Sequence, residues 1–253
     1  MLALLKTWQW LKNIFNMINY LLKFQNFDKN FKMFLPIFTV LFLLFCILAS
    51  FSIYRSPLDY QQSNAVKIMY IHVPAAWLSL LIYTLIFIFS IFSFIYKNPF
   101  FSIIARSIAS IGCSFTLITL LTGAIWGKPI WGTWWAWDAR LTSVLFLFFL
   151  YLGYILIYDN LWQEKNGEKL SAIIAIIGFI NVPIIKFSVE YWNSLHQPAS
   201  ILRSGGVAIH NDMLLPLLLT FATYFCYFIL LGLINTHNLI LIKKLNHDLH
   251  RYR

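Results

Sequence analysis

Charge is scarce in this sequence, and acidic charge most of all. Asp, Glu, Lys and Arg make up 11% of its 253 residues, with 9 acids against 19 bases. Soluble domains carry about 25% charged residues, so the deficit excludes a solvated surface over most of the molecule. Cysteine is nearly missing too. Cys46, Cys113 and Cys226 stand singly inside apolar runs, with no Cys-x-x-Cys pair and no Cys/His cluster of zinc spacing, which leaves them as small packing residues. There is no Gly-x-x-x-x-Gly-Lys-Ser/Thr loop, so any ATP hydrolysis coupled to this chain belongs to another subunit. No internal repeat stands out. No Asp, Glu, Lys or Arg lies near the middle of a long apolar run, which argues against an ion pump or a proton-coupled carrier.

What is present is apolar: 60% of the residues, gathered in blocks rather than in periodic stripes. Six blocks, at about 35–53, 73–95, 104–125, 140–158, 170–187 and 213–234, each approach the roughly 20 residues that span hydrocarbon. The expected fold is an all-α integral membrane protein, a bundle of six transmembrane helices with both termini on one side. Most basic residues (Lys6 to Lys32, Lys97, Arg106, Lys165, Lys169 and the tail from Lys243) fall on the side of the termini. That side is therefore expected to be the cytoplasm or mitochondrial matrix. The same placement explains the net charge of +10 without nucleic acid.

Three segments are expected: a basic amphipathic stretch at 1–32, a six-span membrane domain at 33–235 and a basic tail at 236–253. In the first, Leu4, Trp8, Leu11, Phe15, Ile18 and Leu22 recur at steps of four and three, as on a helix lying in the membrane interface. Interruption by Lys6, Lys12 and Lys23 does not fit a secretory signal. Frequent Phe, Ile, Lys and Asn suggest an AT-rich genome, mitochondrial or that of a reduced bacterium.

The third and fourth blocks are joined by Trp126-Gly-Lys-Pro-Ile-Trp-Gly-Thr-Trp-Trp-Ala-Trp-Asp138, which holds five of the chain's ten tryptophans. Gly127, Pro129 and Gly132 argue for a loop here, on the external side. Trp131, Trp134 and Trp135 would share a face if the segment were helical, Trp135 and Trp137 if it were extended. Either arrangement makes an aromatic shelf suited to a planar apolar ligand, against which stands a plain interfacial girdle. His72 and His196 flank the shelf at span margins. Neutral imidazole binds iron well, and two histidines can fill both axial positions of a planar macrocycle, although a lone interfacial histidine is more often a hydrogen-bonded structural residue. Arg140 is open to two readings, a partner for a ligand carboxylate or a pair with Asp138, and Asp138 is also placed to cap the fourth span. Lys128 and Arg203 are weaker candidates for a ligand carboxylate. Glu190 is poorly spaced to orient His196, and His210 reads as a solvated loop residue.

Positions 126–142, together with Tyr70-Ile-His-Val-Pro-Ala-Ala-Trp77 and the segment from Asn181 to Pro198, resemble the heme exporter protein C family of cytochrome c maturation, whose tryptophan-rich WWD signature the first block matches without a visible departure. The likeness covers about residues 33–235. It implies that heme b is held at the outer face, with His72 and His196 as axial iron ligands. Trp126, Trp131, Gly132, Trp134, Trp135, Trp137, Asp138 and Arg140 would then be the surrounding binding residues. It further implies presentation of heme to a membrane-anchored heme chaperone that supplies its own covalent histidine. An ABC-type ATPase subunit, a second membrane subunit and a small single-span subunit are the implied partners, in a bacterial or mitochondrial inner membrane. The competing class is a permease subunit whose bundle itself moves heme or another solute.

Overall fold

A computed structural model describes residues 24–161, 166–192, 194–197, 206 and 208–251. The amphipathic stretch from Leu4 to Leu22 lies outside the described residues. Regular structure is helical throughout them: α1 (Phe24–Arg55), a 3-10 turn (Asn64–Ile68), α2 (Met69–Tyr96), α3 (Pro99–Trp131), α4 (Ala139–Leu161), α5 (Gly167–Gly178), α6 (Asn181–Tyr191) and α7 (Asn211–Arg251). Six helical stretches are long and apolar enough to cross a membrane, α5 and α6 together making the fifth. The chain is thus an all-α, six-span membrane bundle, as expected.

Helix is the conformation that satisfies every backbone polar group within one segment, which hydrocarbon demands. Six hydroxyls inside the spans obey the same rule. Thr39, Thr84, Ser107, Thr116, Thr119 and Thr220 each donate to the carbonyl four residues earlier, so none needs a partner across the bundle. Boundaries follow local chemistry. Lys97, at φ 49°, closes α2 in the left-handed region, and Asn98 then caps α3 by accepting from the Phe100 amide at 3.0 Å, with Pro99 in the first turn.

The core of α2, α3, α4, α5 and α7 is aromatic where helices cross. Tyr83 and Tyr151 meet edge to face at 5.0 Å, and the Tyr151 hydroxyl donates to the Ser79 carbonyl at 2.6 Å. Gly112 and Gly178 make room for these two rings: a Cβ at either position would run into a tyrosine hydroxyl. The fifth span breaks at Phe179 and Ile180, and buried Asn181 then donates to the Ser143 carbonyl at 2.8 Å, fastening α6 to α4. α1 lies against α7, with Phe42 beside Tyr227 at 5.5 Å and Phe31 stacked on His237 at 4.3 Å.

One expectation is overturned. The tryptophan-rich segment does not open into a loop at Trp126, because α3 continues through Gly127 and Pro129 and stops at Trp131, leaving 132–138 as the connection. Pro129 removes one amide donor, and only Ile130 and Trp131 of the helix follow it. Gly127 serves close packing instead of helix breaking: a Cβ there would lie 2.9 Å from Trp131 Cε3. Gly132 is the stop, at φ 75°, its amide donating to the Lys128 carbonyl at 3.1 Å.

Candidate functional site

Three connections gather at one end of the bundle: the segment between α1 and α2, residues 132–138, and residues 194–197 beyond α6. The first is held to the end of α3 by a hydrogen bond from the Trp126 indole Nε1 to Gln62 Oε1 at 2.9 Å. His72 stands in the first turn of α2, half-buried, its ring edge-on to Trp126 at 5.7 Å. Its Nδ1 is 3.1 Å from Thr122 Oγ1. That hydroxyl already donates to the Ile118 carbonyl at 2.6 Å, so toward His72 it acts as acceptor. Nδ1 therefore carries the proton, and in the neutral ring Nε2 keeps its lone pair. Gly123 leaves the space, since a Cβ there would be 3.1 Å from His72 Cε1.

His196 is built differently. Its Nδ1 lies 3.1 Å from Asp138 Oδ2, and its ring meets Trp131 edge-on at 4.9 Å. Ser194 braces the pair, donating to Asp138 Oδ2 at 2.7 Å and accepting from the His196 amide at 3.2 Å. The other carboxylate oxygen, Oδ1, accepts from the Leu141 amide at 2.7 Å, so Asp138 also caps α4 as anticipated. Burial pushes the Asp138 carboxyl up, but the hydrogen bonds from Leu141, Ser194 and His196 outweigh it and hold the group below the usual carboxylate range. At His196 burial wins over the nearby carboxylate, and the imidazole titrates below its ordinary value. An ionised carboxylate can only accept, so Nδ1 bears the proton here as well, and Nε2 is the basic atom.

The remaining predicted residues divide by exposure. Trp134 and Trp137 are 57% and 78% exposed, while Trp135 is half-buried and edge-on to Trp137 at 5.5 Å. The extended alternative, Trp135 with Trp137, is the one realised, because the helix has already ended. The Trp135 indole Nε1 is buried without an acceptor. Arg140 does not form an ion pair with Asp138 among the described residues. Its Nε donates to Ser188 Oγ on α6 at 3.1 Å. Lys128 donates to the Gly132 carbonyl, and His210 is exposed beside Asp212. Arg203 lies outside the described residues.

Sequence reasoning missed the partners of both histidines. The carboxylate facing His196 comes from 58 positions earlier, and Thr122 is a hydroxyl inside an apolar run with nothing in its context to single it out. Ser194 did carry a local signal, a serine two residues before a histidine being placed to accept that residue's amide.

The family model for heme exporter protein C matches residues 17–251, nearly the whole chain. The chain belongs to the heme exporter protein C family. A heme exporter protein C from Bradyrhizobium diazoefficiens is 43% identical over 201 residues, covering 78% of this chain and 76% of its own length. A cytochrome c biosynthesis ccmC-like mitochondrial protein of Marchantia polymorpha is 49% identical over 190 residues, covering 75% and 80%. The heme exporter protein C of Escherichia coli K12 is 39% identical over 189 residues, covering 75% and 76%.

Proposed function

We propose that this chain binds heme b at the outer face of a bacterial or mitochondrial inner membrane during c-type cytochrome biogenesis and presents it to a membrane-anchored heme chaperone. The observation that carries this reading is the pair of histidines at one end of the bundle, His72 and His196, each with Nδ1 engaged and Nε2 left basic, each against a tryptophan of α3. The donor set fits a planar iron macrocycle with acidic side chains. Two imidazoles suit its two axial positions, and Trp131, Trp134, Trp135 and Trp137 offer the apolar surface around 132–138. The Trp135 indole N–H, buried without an acceptor, and Arg140, which uses Nε on Ser188 and has two further guanidinium nitrogens, suit the propionates.

Bound heme would supply an iron able to accept the Nε2 lone pairs of His72 and His196, and the chain's own part is positioning. Gly132 lets the connection turn away from α3, and Asp138 closes it onto α4. In this reading the tryptophan connection faces outside and both termini inside, which six crossings and the excess of basic residues on the side of the termini support. An ABC-type ATPase subunit, a second membrane subunit and a small single-span subunit complete the complex in this reading. A bundle interior filled by Tyr83, Tyr151, Tyr154 and Leu147 supports a binding role over a permease with a polar path through its middle.

The test is the visible spectrum of the detergent-purified chain after hemin addition, with His72→Ala and His196→Ala beside wild type. A low-spin spectrum in wild type that is lost or converted in both variants supports the reading. A wild type that takes up no hemin, or a spectrum indifferent to both substitutions, overturns it.

A further inference from the structure

The two histidines are not equivalent. His72 gives its Nδ1 proton to a neutral threonine hydroxyl, while His196 gives its own to a carboxylate that is buried to 8% exposure and braced by Ser194. A hydrogen bond to a charged acceptor is roughly twice as strong as one between neutral groups, and it draws the Nδ1 proton away from the ring, making Nε2 the better donor to a metal. Asp138 is anchored from both sides, by the Leu141 amide on Oδ1 and by Ser194, with the Leu195 amide at 3.3 Å, on Oδ2. Its orientation is set by the start of α4, so the ring it holds is oriented by a transmembrane helix although His196 itself sits in a connection.

We infer that Asp138 is a positioning residue: it orients His196 through Nδ1 and makes it the stronger axial ligand, leaving His72 as the ligand that yields first when heme is handed on. Asp138 acts on heme only through His196 and does not touch it. The inference rests on the heme-binding reading above. It also gives a direction to transfer. The His196 side keeps hold of the iron while the His72 side opens to a competing ligand.

The experiment uses the full-length purified chain loaded with hemin and measures hemin affinity, midpoint potential and the rate at which added cyanide displaces an axial ligand. Asp138→Asn keeps an oxygen that can accept from the Leu141 amide, so the α4 cap survives while the charge is removed. It is expected to weaken hemin binding 10- to 100-fold, the usual range for a metal-supporting partner, and to raise the midpoint potential, because a poorer donor stabilises ferric iron less. Ser194→Ala leaves the cap untouched and removes a competitor for Oδ2, so its potential is expected to move the opposite way. His72→Ala should cost less affinity than His196→Ala, and in an Asp138→Asn background that gap should narrow; cyanide should displace the same ligand that His72→Ala removes. Unchanged affinity and potential in both Asp138→Asn and Ser194→Ala, with His196→Ala still abolishing the low-spin spectrum, overturns the positioning role alone. A wild type without a histidine-dependent spectrum overturns the heme reading and this inference with it.

Discussion

Burying the Trp135 indole N–H without an acceptor costs about 1–3 kcal/mol, which makes the atom either a defect or half of a contact awaiting its partner. The two alternatives separate cleanly in Trp135→Phe, which keeps most of the ring and deletes the donor. A defect predicts higher thermal stability and nothing else. If the donor meets a propionate, hemin affinity drops about tenfold or more, since a hydrogen bond to a charged group contributes about 1.5–3 kcal/mol, while apoprotein stability holds or rises. Hemin titration alongside a melting curve distinguishes them. His196 makes a second prediction, about pH. Its folded pKa lies below the ordinary histidine value of 6.5, so the folded state binds fewer protons than the unfolded one, and its contribution is complete above that value and lost as pH falls through it toward the lowered one. Asp138, held below the usual 3.8, contributes throughout the same window and adds no slope there. Apoprotein melting temperature should therefore decline between pH 7.5 and 5.5, and His196→Gln, which cannot titrate, should decline less. Equal slopes would mean that folding does not lower the His196 pKa.

The end of α3 shows how a short stretch can be legible in kind and misread in form. Gly127 and Pro129 read as breakers because most helices avoid them, yet helix continues to Trp131: Pro129 loses one donor in the final turns, and Gly127 is there because the Trp131 ring lies over it. Gly127→Ala tests this. Alanine raises helix propensity by about 1 kcal/mol, offsetting part of the contact with Trp131, so the melting temperature should change little. Hemin affinity should fall several-fold as Trp131 is pushed off its edge contact with His196, and a titration showing wild-type affinity would remove Trp131 from the site. The cap at Asp138 was readable because capping is local, an acidic residue just ahead of an apolar run. Its bond to His196 was not, because a separation of 58 positions takes in all of α4, α5 and α6 and no periodicity reports which side chains those helices bring back together. The break of the fifth span at Phe179 was masked for a similar reason: the run stays apolar across it despite Gly178 and Pro183, and buried Asn181 takes its partner Ser143 from another helix.

At the scale of the whole molecule, six spans were legible because lipid makes the rule one-dimensional: an apolar run of sufficient length must be a helix, whatever it packs against. Orientation is a separate question, read from which loops carry positive charge, and the proposal that the histidine site faces outside rests on it. The two ends of the bundle offer good reporters. Tyr60, in the connection from α1 to α2, is 91% exposed on the same end as His72 and His196, and Lys169 is exposed at the start of α5 on the other. The native cysteines intrude little: Cys113 and Cys226 are buried and Cys46 lies within the first span, so all three can be replaced by alanine. In that background, with the protein expressed in a bacterial inner membrane, Tyr60→Cys should react with a membrane-impermeant maleimide once the outer membrane is opened. Lys169→Cys should react only after the inner membrane is broken as well. The reverse pattern would place the histidines in the cytoplasm and leave a chaperone acting outside without access to them. Hemin loading adds the link between orientation and site: bound heme should slow labelling of a cysteine at Trp137, the 78% exposed edge of the shelf, and leave Lys169→Cys unaffected.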